Sequence, residues 1–170
     1  SNWKEYYAIP LGVPSLHATN IHVDDNNIKW FGTTKGLVKF DNTTWSFYEK
    51  VSGGLPNNEV IKISSSVNNV TWVSTLAGLS SFDGTTWKTY TSSNSGLKSP
   101  RTFAILGDSD GEIWAGTSNG VYDFDGAVWT KNDLSPNRLT SNSLHDVFID
   151  SDNTKWITES GKLFKFDANG

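Results

Sequence analysis

The stretch IKWFGTTKGLVKFDNTTW at residues 28–45 returns as VTWVSTLAGLSSFDGTTW at 70–87 and as EIWAGTSNGVYDFDGAVW at 112–129. Each copy opens on β-formers around a tryptophan, crosses a glycine turn, and runs through Phe-Asp to a second tryptophan. Extended outward, one series is Trp30, Trp72, Trp114, Trp156 and the other Trp3, Trp45, Trp87, Trp129. These are all eight tryptophans, and every step in both series is 42 residues. Phe40-Asp41, Phe82-Asp83, Phe124-Asp125 and Phe166-Asp167 keep the same step, as do Ile21, Ile63, Ile105 and Val147. No insertion interrupts the count, so the chain is an array of one supersecondary unit.

Within the unit, residues 18–25, 27–33, 36–40 and 44–48 each read as a short strand. The Asp-Asn or Asp-Gly between the third and fourth tolerates positive φ and suits a hairpin turn. Four antiparallel strands in such a period make a β-propeller blade. The expected fold is therefore all-β, with approximate units 3–44, 45–86, 87–128 and 129–170 in a single domain. The tryptophans are expected as wedges between blades, where burial of an aromatic stabilises by about 1.5–3 kcal/mol.

Composition agrees. The chain has 170 residues, a formal charge of −4 and 13% aromatic residues. Ser, Thr, Asn and Gly are abundant, which favours strands and turns over helices. The mild acidity offers no basic footprint for nucleic acid. No segment reaches the length of a membrane span, and no signal peptide is visible. With no Cys, disulfides and thiolate metal sites are excluded. The lack of Met points to a processed or engineered chain.

The unit at residues 54–90 resembles the two-component regulator propeller repeat. The resemblance rests on Leu55-Pro56-Asn57-Asn58, on DGEIWAGT at residues 110–117, and on Asp83-Gly84-Thr85-Thr86-Trp87. It extends over essentially the whole chain. It implies a β-propeller of the kind that commonly forms the extracytoplasmic sensor part of bacterial hybrid histidine kinases, often responding to glycans. A periplasmic or extracellular location follows from the resemblance alone. The last unit departs from the pattern: Thr158-Glu159 replaces Gly-Thr, and Gly161 comes one place early. Asn132 also stands where Tyr48 and Tyr90 do.

Trp3 lies 168 residues, four units, before the position that would follow Gly170 in its series. Residues 2–7 thus read as an outer strand placed at the start of the chain, able to complete the last blade. Three closures fit: a two-chain ring of eight blades, a four-bladed ring of one chain, or a fragment of a longer array. The compact repeat favours the two-chain ring, a homodimer.

Candidate chemistry is sparse. The turns at 24–27, 108–111 and 150–153 are rich in Asp, as calcium loops are. They lack the bidentate Glu and read better as Asx turns, so no metal or other cofactor is expected. His17, His22 and His145 share no repeat position. No nucleophile–base motif accompanies them, and the expectation is a protein that is not an enzyme. The loops between units (13–17, 55–59, 97–101, 139–143) fall on one face with the turns between second and third strands. They vary most from unit to unit. Ser15, His17, Asn57, Asn58, Arg101, Asn142 and His145 are the candidate ligand-binding residues there, for a glycan or a protein segment. The alternative is a self-assembling structural propeller, a natural fragment or engineered, with no dedicated ligand.

Overall fold

Each unit's run of β-formers closes into an antiparallel meander. The structure, a computed structural model, describes residues 17–99, 101–107, 111–132, 144–159 and 161–166. The first sheet holds β1 (Ala18–Val23), β2 (Lys29–Thr33), β3 (Leu37–Phe40) and β4 (Trp45–Tyr48). The second holds β5 (Val60–Ser65), β6 (Thr71–Thr75), β7 (Gly78–Phe82) and β8 (Trp87–Tyr90). The third holds β9 (Thr102–Gly107), β10 (Ile113–Thr117), β11 (Gly120–Phe124) and β12 (Trp129–Lys131). The fourth has three strands among the described residues: β13 (Leu144–Ile149), β14 (Lys155–Glu159) and β15 (Lys162–Phe166). Strand order within every sheet is sequence order. The first strands line up against one another, β1 on β5, β5 on β9 and β9 on β13. The outer strand proposed for residues 2–7 lies outside the described residues.

Turn chemistry explains why the units keep register. Between third and fourth strands, the Asp41 carboxylate accepts from the backbone N–H of Thr43 and Thr44, and from the Thr43 hydroxyl. Asp83 does the same for Thr85 and Thr86, and Asp125 caps Ala127 and Val128. The residue after each Asp takes positive φ: Asn42 at 78°, Gly84 at 101°, Gly126 at 98°. Between second and third strands, buried Thr33, Thr75 and Thr117 donate to the carbonyls of Gly36, Gly78 and Gly120. At Gly36 a Cβ would collide with the Tyr48 carbonyl, and at Gly78 with that of Tyr90. Glycine is required there by close approach as well as by φ.

The core lies between sheets. Trp30, Leu37 and Tyr48 of the first sheet pack on Val60, Ile63, Val73 and Phe82 of the second. Trp72, Leu79 and Tyr90 repeat this against Ile105, Ile113, Phe124 and Trp129. Trp114 and Val121 then meet Leu144, Val147 and Ile157. The wedge geometry is edge-on: Trp72 stands at 69° to Phe124 and 88° to Trp129, with centroids 5.5 and 5.8 Å apart. Such arrangements suit the ring quadrupoles. Each sheet thus has a leading face, carrying the second-strand tryptophan, and a trailing face that receives the tryptophan of the sheet before.

One irregularity recurs in every unit. Pairing jumps from Ala18–Thr33 to Asn20–Gly32, from Val60–Thr75 to Lys62–Ser74, from Thr102–Thr117 to Ala104–Gly116, and from Leu144–Glu159 to Asp146–Thr158. Thr19, Ile61, Phe103 and His145 are left over as the bulged residues. A bulge bends the strand and frees one side chain from the ladder. Here it does so at the same end of each first strand.

Candidate functional site

The bulges place Thr19, Ile61, Phe103 and His145, one residue per sheet, outside the strand register at the loop-face end of the first strands. Two residues earlier, at the strand entries, stand His17, Glu59 and Arg101, again one repeat position and all exposed. The two rows touch in the third unit, where the Arg101 guanidinium lies 5.4 Å from the Phe103 ring centre. This is a cation–π geometry, and Arg101 forms no ion pair among the described residues. His145 is the bulge residue of β13 and is exposed. His17 is exposed just before β1, its carbonyl accepting from the Thr34 N–H at 3.1 Å.

The other candidates divide. Asn57 and Asn58 are half-buried in the loop between β4 and β5. The Asn57 side-chain oxygen accepts from the Glu59 N–H at 2.8 Å, and that of Asn58 accepts from the Lys50 N–H. Their oxygens therefore shape the loop. Leu55 and Leu97, read as members of the variable loops, are anchors in the core at 1% and 0% exposure. Ser99, at the Asn57 repeat position, is joined through its hydroxyl to that of Ser118 at 2.5 Å. This ties the inter-unit loop to the turn between β10 and β11. Ser15 and Asn142 lie outside the described residues.

Below the mouth, Lys62 reaches from β5 to Asp146 on β13, Nζ to Oδ2 being 3.2 Å. The sequence reading missed this pair, although both residues occupy the same repeat position two units apart. Phe103 was missed too, because no motif marks a bulge. His22 proves to be a junction residue. Its Nε2 lies 2.8 Å from the Ser65 hydroxyl of the next sheet. Burial holds its pKa below the usual imidazole value, against the raising effect of Asp24 and Asp25.

The acidic turns have a structural use. The Asp24 carboxylate accepts from the N–H groups of Asn26 and Ile28, and its other oxygen takes the Trp30 indole N–H at 2.9 Å. Asp150 does likewise with Asp152, Thr154 and Trp156, the indole bond being 2.8 Å. The Trp156 bond is the main reason the Asp150 carboxyl is held below its usual range. These contacts supply the Asx-turn account of the acidic stretches. Among the described residues, no group of three His, Cys, Asp or Glu side chains is placed to hold a metal ion.

No helix among the described residues is long and apolar enough to cross a membrane. The family model described as Two component regulator propeller matches residues 96–119. No curated protein matches the chain. Among solved structures, the extracellular domain of a hybrid two component system from B. thetaiotaomicron is similar, with TM-score 0.74 and 23% identity. The match covers 89% of this chain and 22% of that one. A catalytically inactive virginiamycin B lyase from Staphylococcus aureus, crystallised with Quinupristin, matches with TM-score 0.67 and 20% identity. There the coverage is 89% of this chain and 56% of that one. PorZ, a bacterial surface component of the type-IX secretion system of Porphyromonas gingivalis, matches with TM-score 0.63 and 15% identity, over 89% of this chain and 26% of that one. The chain thus spans only part of each of these structures, and at such identities they speak to the fold. Recurring unit, sheet topology and matches converge: the chain is an all-β array with the fold of propeller blades, and its segment 96–119 is similar to the two-component regulator propeller repeat.

Proposed function

We propose that the chain is a non-enzymatic recognition module of an extracytoplasmic sensor, binding a polar ligand across the mouth formed by its first strands. The observation that carries this reading is the bulge repeated in every unit. It holds Thr19, Ile61, Phe103 and His145 at one end of the array, beside His17, Glu59 and Arg101. At neither repeat position do any two of these residues agree, while the core positions hardly vary. That is the pattern of a fixed scaffold presenting a variable surface. The Arg101–Phe103 pair offers a flat face edged with donors, suited to a sugar ring or to an extended peptide. Glycan is the favoured ligand class and a protein segment the alternative. Location outside the cytoplasm is supported by the extracellular domain among the similar structures.

A glycan array followed by thermal-shift titration tests the reading. A glycan that raises the melting temperature is expected, with Arg101→Ala and Phe103→Ala each weakening it at least ~10-fold, the loss of a stacked, charge-assisted contact. If no ligand shifts the melting temperature, or if these substitutions leave binding unchanged, the module is a structural propeller without a dedicated ligand. A thermal response that ignores both residues but fails with His17→Ala would move the site away from the third unit.

A further inference from the structure

The turn between first and second strands opens on a carboxylate in three units and not in the second. Its first residue is Asp24, Ser66, Asp108 and Asp150 along the chain. The second turn, Ser66-Val67-Asn68-Asn69, has no acidic residue at all, where the others read DDNN, DSDG and DSDN. Asp108 lies outside the described residues. Asp24 and Asp150 show what the carboxylate does. One oxygen accepts from two backbone N–H groups of the turn, those of Asn26 and Ile28 or of Asp152 and Thr154. The other accepts from the indole N–H of Trp30 or Trp156.

The second turn keeps the same backbone. The Ser66 N–H donates to the Val70 carbonyl at 3.0 Å, as that of Asp24 does to Ile28 at 3.1 Å and that of Asp150 to Thr154 at 3.0 Å. Asn69 has a φ of 57°, against 59° at Asn27 and 60° at Asn153. The tryptophan is set alike as well: Trp72 meets Phe124 of the next sheet at 69°, and Trp30 meets Phe82 at 79°, both edge-on. The N–H groups of Asn68, Val70 and the Trp72 indole therefore converge as their counterparts do, but Ser66 brings no carboxylate to them. Trp72 is 4% exposed, and its indole nitrogen has no hydrogen-bond partner among the described residues. A cavity of about 510 Å³ adjoins these groups, with Val67, Asn68, Val70 and Trp72 on one side and Phe124 and Asp125 of the next sheet on the other. Convergent backbone N–H groups are a recurrent way of binding anions.

We propose that this cavity is a second ligand site, taking the carboxylate of a uronic acid in the place that Asp24 and Asp150 fill with their own. The rest of the lining argues for a sugar acid. Asp125 uses Oδ1 for both bonds of its own turn, so Oδ2 can accept from a ring hydroxyl. Its negative charge favours a ligand with one carboxylate and several hydroxyls over a run of acidic side chains. Asn68 adds an amide, and Val67, Val70 and Phe124 give apolar cover to a ring. The volume lies in the range of small-molecule sites. A carboxylate facing such an aspartate has a precedent inside the chain, since Asp83 holds the Asp125 position in the junction that contains Asp24. The turn stands at the other end of the first strands from the bulges, so the proposal is independent of the mouth and of the ligand reading made for it.

Titration of the 170-residue chain with sodium glucuronate at constant ionic strength, followed by proton–nitrogen correlation NMR, tests it. The Trp72 indole cross-peak is identified as the one lost in Trp72→Phe. It should move downfield and saturate, together with the amides of Asn68 and Val70. Glucose, the same ring without the carboxylate, should bind at least ~10-fold more weakly, the loss of a charge-assisted hydrogen bond. Ser66→Asp supplies the carboxylate from within the chain. It should keep the native spectrum elsewhere, melt no lower than the parent, and abolish the glucuronate response. The glucose comparison uses the unaltered chain and does not depend on that variant. Four results would overturn the proposal. A Trp72 cross-peak that does not saturate would leave no carboxylate site there. Equal affinity for glucose would mean that any hydroxyl serves the indole. Unchanged binding by Ser66→Asp would put the sugar acid elsewhere. Tighter binding of N-acetyl-aspartate amide than of glucuronate would assign the cavity to an acidic peptide instead.

Discussion

At the scale of single residues, the repeat acts as its own control. Asp24 and Asp150 each give an oxygen to an indole N–H one turn away. In the second unit the same position is Ser66. Its backbone keeps the turn, the Asn69 N–H donating to the Ser66 carbonyl as Asn27 does to Asp24 and Asn153 to Asp150. Its side chain is too short to reach the tryptophan, and the Trp72 indole nitrogen is buried without a hydrogen-bond partner. An unsatisfied buried donor costs about 1–3 kcal/mol. Ser66→Asp should therefore stabilise the protein by about 1–2 kcal/mol, raising the melting temperature by roughly 2–8 °C for a domain of this size. Urea denaturation measures the gain. An unchanged midpoint would mean that water already serves the indole.

At the scale of elements, the turn between third and fourth strands is the most regular device in the chain. Hydrogen bonds from Thr43 and Thr44 pull the Asp41 pKa down to about 2 from 3.8. Backbone donors of the following turn residues lower Asp83 and Asp125 too. The folded state thus binds these protons less tightly than the unfolded chain. Their contribution to stability is complete above the unfolded value of 3.8, and is lost as pH falls through it towards about 2. Replacing Asp41, Asp83 and Asp125 together by Asn removes that titration. The urea midpoint of the triple variant should depend less on pH across this window than that of the parent. Equal slopes would place the acid sensitivity elsewhere, with Asp150 the next group to examine. These turns were legible in the sequence because their chemistry is local: Asp, then Asn or Gly, at a fixed spacing. The bulges were not. Thr19, Ile61, Phe103 and His145 share no chemistry, and a bulge is set by how two strands pair, which no single run of residues records. The same holds for Asn57 and Asn58, polar loop residues whose side-chain oxygens turn out to hold the loop itself.

At the scale of the whole molecule, stability resides in the junctions, because each sheet touches only its neighbours through its faces. Arrays of this kind sum unit and nearest-neighbour terms. Trp72 is 4% exposed and in contact with Tyr90, Phe124 and Trp129. Trp72→Ala should cost about 3–5 kcal/mol by equilibrium unfolding. A loss below ~1 kcal/mol would remove Trp72 from the junction core. The 42-residue step gave the wedge role of the second-strand tryptophans, and Trp30, Trp72 and Trp114 fill it. It treated all units as equivalent, however, and so could not show that Ile21 and Leu163, whose counterparts in other units are buried, are exposed. Equivalence in sequence is equivalence of position within a unit; burial depends on which unit stands next.

The bulge has a consequence for how such a protein can change over time. A bulge residue is released from the ladder, one of the two demands that fix its neighbours, although Thr19 still donates its hydroxyl to the Val60 carbonyl of the next sheet at 2.6 Å. The array offers one such place per unit, always at the same end. Substitutions there can accumulate at little cost to folding, and every duplication of a unit adds another. The scaffold thereby separates inheritance of shape from exploration of surface, and the four unlike residues now found at the bulges are what that freedom would leave behind.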